Sequence, residues 1–252
     1  MYSAQSQPAY ILHTRPYRDT SLLIDAFTPM QGRISLIAKA ARGVQCKHSR
    51  FKGLLQAFTP LLISWRGKTE LLNLLHAEPS DFFSFQLSGK ILLCGLYLNE
   101  LLVRLLHRYD PHPTLFQVYQ TTLTLLSQNP NLALRLFEKQ LLAELGYALH
   151  LNRDTQTQQT ILPDRQYQFI PSQGLVLCSN TTIAIANVYL FSGASLLAIH
   201  AEQWTTPNQL LDAKRLFRLA LHHLLEGKSI RSRELLWPPK RTSEFASAID
   251  EH

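Results

Sequence analysis

At 252 residues, 46% apolar and 17% charged, the chain is long enough to bury a sizeable core without metal or disulfide staples and lies far from the composition of disordered chains. Its three cysteines, Cys46, Cys94 and Cys178, are odd in number and widely spaced, which argues against a disulfide framework and for a reduced, cytoplasmic setting. The net charge of +7 does not by itself specify a partner, since many proteins without a nucleic-acid role are basic, and Met1 to Tyr10 lacks the pattern of a secretory signal.

The first eighty residues read as strands. Tyr10–Thr14, Ser21–Phe27, Arg33–Ala38, Pro60–Trp65 and Glu70–His76 are short, apolar-rich and separated by turn residues such as Thr28-Pro29, Gly32 and Arg66-Gly67-Lys68. A longer basic crossover, Gly43–Leu55, joins the third to the fourth. Five such strands predict a five-stranded OB-fold barrel, an architecture that binds oligonucleotides on one face and its loops.

The charge is not spread evenly. Between Ala26 and Thr69 there are eight basic residues and no acid, whereas the remainder nets −1. If that segment folds together, Arg33, Lys39, Arg42, Lys47, Arg50, Lys52, Arg66 and Lys68 form a concentrated positive field suited to nucleic acid phosphates. A merely solubilising face would intersperse both signs. An anionic membrane is disfavoured because the window has no long amphipathic basic helix. Tyr17, Phe51 and Trp65 are candidate base-stacking aromatics, with core packing as the competing reading for the last two. No pattern suited to reading base edges accompanies them, so sequence-independent binding is expected.

After Pro79 the apolar period becomes helical. Leu96–Arg108 is amphipathic, with Leu98, Leu101, Leu102, Leu105 and Leu106 on one side and Asn99, Glu100 and Arg104 on the other. Thr114–Ser127 is a second helix, and a third starts at the cap Asn129-Pro130 and stops at Gly146. The polar stretch 152–180 contains a small hairpin, Tyr167–Ile170 with Leu175–Leu177. Ile183–Ala201 is free of charge and long enough to span a bilayer, but Asn187, Tyr189, Ser192, Gly193, Ser195 and His200 interrupt it. A buried helix is therefore expected there. Leu210–Leu225 is a further amphipathic helix, and the end from Trp237 is expected to fray. The reading is α+β, with a barrel over 1–80, a helical domain over 81–237 carrying an insert at about 152–180, and a flexible tail, 238–252.

No catalytic constellation accompanies these elements. Gly67-Lys68-Thr69 has Leu62 where a phosphate loop needs its first glycine. Cys46 and His48 have no second pair to complete a zinc site, and His222-His223 are adjacent rather than one helical turn apart. A non-enzymatic binding protein without cofactor is the expectation.

The run Ala9–Leu23, with Phe27-Thr28 and Gly32–Lys39, resembles the opening of RecO proteins. Leu55–Leu62, Gly95–Leu102, Leu134–Glu138 with Leu145–Tyr147, and Ala213–Phe217 with Ser232–Leu236 resemble later blocks of the same family, in order along nearly the whole chain. The resemblance implies an OB-fold followed by a helical domain. It also implies a recombination mediator that binds single- and double-stranded DNA, anneals complementary strands, and works with RecR to replace single-strand-binding protein by the RecA recombinase. Some members hold zinc with four cysteines in the helical-domain insert. Here residues 152–180 contain only Cys178, so no zinc is expected and packing and hydrogen bonds must hold the insert. The family's contact with the acidic, apolar C-terminal tail of single-strand-binding protein needs a cation beside an apolar groove. Arg135 and Lys139 are the leading candidates, with Lys214, Arg215 and Arg218 as a second set or a further DNA contact. The rival function is an RNA- or ribosome-associated OB-fold protein.

Overall fold

A computed structural model describes residues 2–42, 51, 53–80, 86–178, 189–204 and 206–236. The N-terminal part is a closed barrel of β1 (Tyr2–Tyr17), β2 (Ser21–Thr28), β3 (Gly32–Ala38), β4 (Pro60–Gly67) and β5 (Leu71–Pro79), in the order β1-β2-β3-β5-β4. Every pairing is antiparallel except β3 with β5, where Ser35 lies opposite Leu71. These are the strands and the OB-like barrel expected from the alternation, with one large difference. β1 extends back to Tyr2, because its outer half pairs with β4 and its inner half with β2. Irregularities between Ala4 and Gln7 and between Ile11 and His13 bend the strand between its two partners.

Period-2 alternation fills the barrel with Ala9, Ile11, Ile24, Ala26, Ile34, Leu36, Ile63, Trp65 and Leu72. The opposite faces of β1 and β2 are apolar as well, and the reason lies outside the barrel. Tyr10, Leu12 and Phe27 join the core of the helical domain, where Tyr10 meets Tyr119 edge-on at 5.1 Å and Phe27 packs on Phe116 at 5.4 Å.

That domain contains α1 (Gly89–Leu105), α2 (Pro113–Leu126) and α3 (Pro130–Glu144), then β6 (Gln166–Ile170), β7 (Gly174–Leu177) and β8 (Leu190–Ser192), then α4 (Gly193–Ala201), α5 (Pro207–Leu224) and α6 (Arg231–Leu236). Asn129 caps α3 by accepting from Leu132 N, and Thr206 with Gln209 forms a capping box on α5. Asn99, expected on the polar side of its helix, is buried instead. Its Nδ2 donates to the Leu12 carbonyl at 3.0 Å and its Oδ1 accepts from Tyr119 Oη at 2.6 Å, so it satisfies a strand carbonyl at the seam between barrel and helices.

Of the buried helix expected over 183–201, residues 183–188 lie outside the described residues, and α4 begins only at Gly193. The described part is β8, which completes the sheet with β6 and β7, followed by α4. Gly193 sits at the switch, where a Cβ would lie 1.9 Å from the Leu162 carbonyl oxygen. No helix among the described residues is long and apolar enough to cross a membrane.

The insert is organised around a carboxylate. Asp154, 2% exposed, accepts from Gln156 N and Thr157 N through Oδ1 at 2.8 and 2.7 Å, and from Leu177 N through Oδ2 at 2.6 Å. Burial alone would raise its pKa, but the three backbone donors outweigh it and the net shift is downward. Asp154→Ala leaves those donors without an acceptor and is expected to destabilise the insert by about 2 kcal/mol, seen as faster amide exchange over 152–178 with the barrel unchanged. Because the folded pKa lies below the unfolded one, about 3.9, this contribution is complete above that value and disappears as pH falls through the folded pKa. A native insert that kept its protection through acid titration would contradict this role.

Candidate nucleic-acid interface and helical-domain cleft

The barrel's last turns bring together residues far apart in sequence. β3 ends beside the β1–β2 turn, since Leu22 pairs with Ala38, and Arg42 N donates to the Thr20 carbonyl at 3.0 Å. On the other side the β4–β5 hairpin carries Arg66 and Lys68. Lys39, Arg66 and Lys68 are all exposed and line one groove of about 480 Å³ with Gly67, Asn73 and Leu75. Arg42 is exposed on the adjoining edge. Four of the eight expected cations thus share one end of the barrel, and Leu75, 45% exposed, adds apolar surface that the charge pattern did not reveal.

Arg33 does not belong to this rim. It lies at the opposite end of β3, roughly 20 Å away at the rise of an extended strand. Its Nε donates to the Leu106 carbonyl at 3.1 Å, and its Nη1 lies 3.8 Å from Asp25 Oδ1 with the side chain 16% exposed. Burial lowers its pKa, with Asp25 opposing and Arg108 adding to the shift. It serves the barrel–helix seam, so it is corrected from a phosphate contact to a joining residue. Lys47, Arg50 and Lys52 lie outside the described residues.

The stacking candidates also divide. Trp65 is 2% exposed and Phe51 3%, both inside the barrel core, so neither presents a ring to a base. An inward position on β4 decides this for Trp65, whose neighbour Arg66 faces out. Tyr17 remains half-buried beside the rim, with the Arg18 guanidinium 5.3 Å from its ring centroid.

In the helical domain, α3 packs on α5, and the two sets of tail-binding candidates partly merge. Arg135, Lys214 and Arg218 line one cleft of about 790 Å³, together with Lys228 and Arg233, which sequence reasoning did not single out. Five cations and two carboxylates, Glu138 and Glu234, border it among the described residues. Apolar surface comes from Leu219, Leu225, Ile230 and the exposed Tyr189.

Arg135 is only 5% exposed and is held by Glu138, whose Oε1 accepts from Arg135 Nη2 at 2.9 Å and from Tyr97 Oη at 2.6 Å. Glu138 Oε2 is buried with no hydrogen-bond partner among the described residues. Burial raises the Glu138 pKa against the pull of Arg135 and the Tyr97 hydrogen bond. The same burial holds the Lys214 ammonium and the Arg233 guanidinium below their usual values, and neighbouring cations deepen both shifts.

Two candidates lie elsewhere. Lys139 Nζ donates to the Ile199 and His200 carbonyls at 3.2 and 2.9 Å and to Glu202 Oε1 at 2.7 Å, closing the C-terminal end of α4. It is a structural cap and not a receptor for a tail. Arg215 is half-exposed outside the cleft, 3.8 Å from Asp212. Among the described residues no group of three His, Cys, Asp or Glu is placed to hold a metal ion.

A small closed barrel with a cationic rim is followed by a helical domain with its own cationic cleft. Residues 1–83 match the family model described as Recombination protein O N terminal, and residues 86–234 match Recombination protein O C terminal. The chain belongs to the RecO family. It is 45% identical over 232 residues to the DNA repair protein RecO of Coxiella burnetii (strain RSA 493 / Nine Mile phase I), covering 92% of this chain and 97% of the relative. It is 42% identical over 234 residues to that of Nitrosospira multiformis, covering 92% and 94%. With that of Aliivibrio fischeri (strain ATCC 700601 / ES114) it shares 40% identity over 238 residues, covering 94% and 97%.

Proposed function

We propose that the chain is a non-enzymatic recombination mediator of cytoplasmic DNA repair. It binds single- and double-stranded DNA along the cationic barrel rim without reading sequence and anneals complementary strands by neutralising both phosphate chains while leaving bases free to pair. With RecR it helps RecA replace single-strand-binding protein, whose acidic, apolar C-terminal tail enters the helical-domain cleft near Arg135, Lys214 and Arg218. The observation that carries the reading is the convergence of Lys39, Arg66 and Lys68 on one groove, with Arg42 at its edge.

The test is oligonucleotide binding across a salt series, with fluorescent annealing measured alongside. If the four rim cations each meet a phosphate, they contribute about −3 to the slope of log affinity against log salt for single strands. Replacing Lys39, Arg66 and Lys68 by Ala is expected to reduce the slope's magnitude by about 2 and to slow annealing with it. Annealing that survives the triple change would move the DNA surface elsewhere. An RNA- or ribosome-associated protein would instead prefer RNA in direct competition and ignore the tail peptide.

A further inference from the structure

The cleft of the helical domain is walled on one side by the segment that leads into the end of the chain. Ile230, Arg233 and Glu234 of that segment line it. Glu100 of α1 fixes the start of α6, accepting from Arg231 N at 3.0 Å, from Ser232 N at 2.8 Å and from Ser232 Oγ at 2.7 Å. α6, which ends at Leu236, thus stands at the cleft wall. Residues 237–241 separate α6 from a segment of unusual composition, and five residues reach about 17 Å when extended.

That segment, residues 242–252, reads Thr-Ser-Glu-Phe-Ala-Ser-Ala-Ile-Asp-Glu-His. In a chain with an excess of basic residues it contains three acids, Glu244, Asp250 and Glu251, and no Lys or Arg, with Phe245 and Ile249 as its large apolar side chains. The cleft is its complement. Its cations outnumber its carboxylates, and Glu138 is already engaged by Arg135 and Tyr97. Leu219, Leu225 and Tyr189 offer apolar surface among those cations.

We propose that residues 242–252 occupy this cleft in the free protein and act as an internal competitor for the acidic partner tail. The inference rests on the reading of the cleft as the partner-tail site. The arithmetic of tethering makes a weak contact sufficient. A segment with a dissociation constant of about 100 μM in trans, held at an effective concentration of about 1 mM, fills the cleft about nine-tenths of the time and weakens a competing peptide about ten-fold. DNA bound on the barrel rim is not displaced by it, so the device regulates partner loading and leaves strand binding alone.

Two measurements on the full chain decide the matter. Hydrogen exchange is expected to be at least five-fold slower for the amides of 242–252 in the protein than in a synthetic peptide of the same sequence. The double change Arg218→Glu with Lys228→Glu, both exposed cleft cations, is expected to return them to the peptide rate. Free-peptide rates in the native chain, or protection indifferent to the charge reversal, overturn the proposal. In the second measurement the C-terminal peptide of single-strand-binding protein is titrated against the native chain and against a variant carrying Glu244→Gln, Phe245→Ser, Ile249→Ser, Asp250→Asn and Glu251→Gln. The variant is expected to bind about ten-fold more tightly. Equal, measurable binding rejects internal competition. If neither chain binds the peptide, the partner-tail reading of the cleft fails, while the exchange experiment still decides whether the chain's own segment sits there.

Discussion

Glu138→Ala is expected to cost about 3–5 kcal/mol of stability, the range for leaving one member of a buried ion pair unpaired. The orphaned group would be the Arg135 guanidinium, 5% exposed and bordered by Lys214 and Arg233 in the same cleft. Tyr97 Oη would lose its acceptor as well. For a chain of this size the loss corresponds to a fall of about 6–10 °C in melting temperature, measurable by calorimetry. Removing both charges in the same position, as Arg135→Met with Glu138→Leu, is expected to recover most of that loss, since no buried charge is then stranded. A single alanine variant within about 1 kcal/mol of the native chain would mean that water reaches the pair.

Gly32→Ala is the second large effect. Gly32 has φ +59, in the left-handed region, and an added Cβ would lie 1.8 Å from the Asp110 carbonyl oxygen. Strain at a positive φ costs about 1 kcal/mol, and the steric overlap adds about 1–3 kcal/mol more. The contact lies at the seam. Arg33 donates to Leu106, and the Arg33 carbonyl accepts from Tyr109 N at 3.1 Å. The substitution is expected to loosen the barrel from the helices before either melts, giving two separated denaturation steps where the native chain is expected to give one. Coincident transitions at native stability would show that the seam can shift to accommodate the methyl group.

How much of this was legible in the sequence depended on how far apart the deciding groups were. β2 to β5 announce themselves by alternation, α2 and α5 by apolar period, and α3 by period and cap, because those signals are local. The first half of β1 is polar and contains Pro8, and it is a strand only because β4 lies beside it, with Pro8 opposite Leu62. The acid-free window includes Lys39, Arg42, Arg66 and Lys68, which the barrel places at one end, and also Arg33, whose position is set by a carbonyl 73 residues away. Lys139 shows the same limit. One helical turn from Arg135 it reads as a second receptor cation, but its partners lie at the end of α4. The cleft itself was half visible. Arg135, Lys214 and Arg233 occur in sequence blocks that the resemblance marks, but only the packing of α3 on α5 makes Arg135, Lys214 and Arg218 one site.

The long first strand has a practical implication for anyone handling the protein. Tyr2 pairs with Gly67, between Arg66 and Lys68, so a purification tag fused ahead of it emerges at the edge of the positive groove. An acidic leader there would act as a tethered counterion, and a basic one would counterfeit affinity for oligonucleotides.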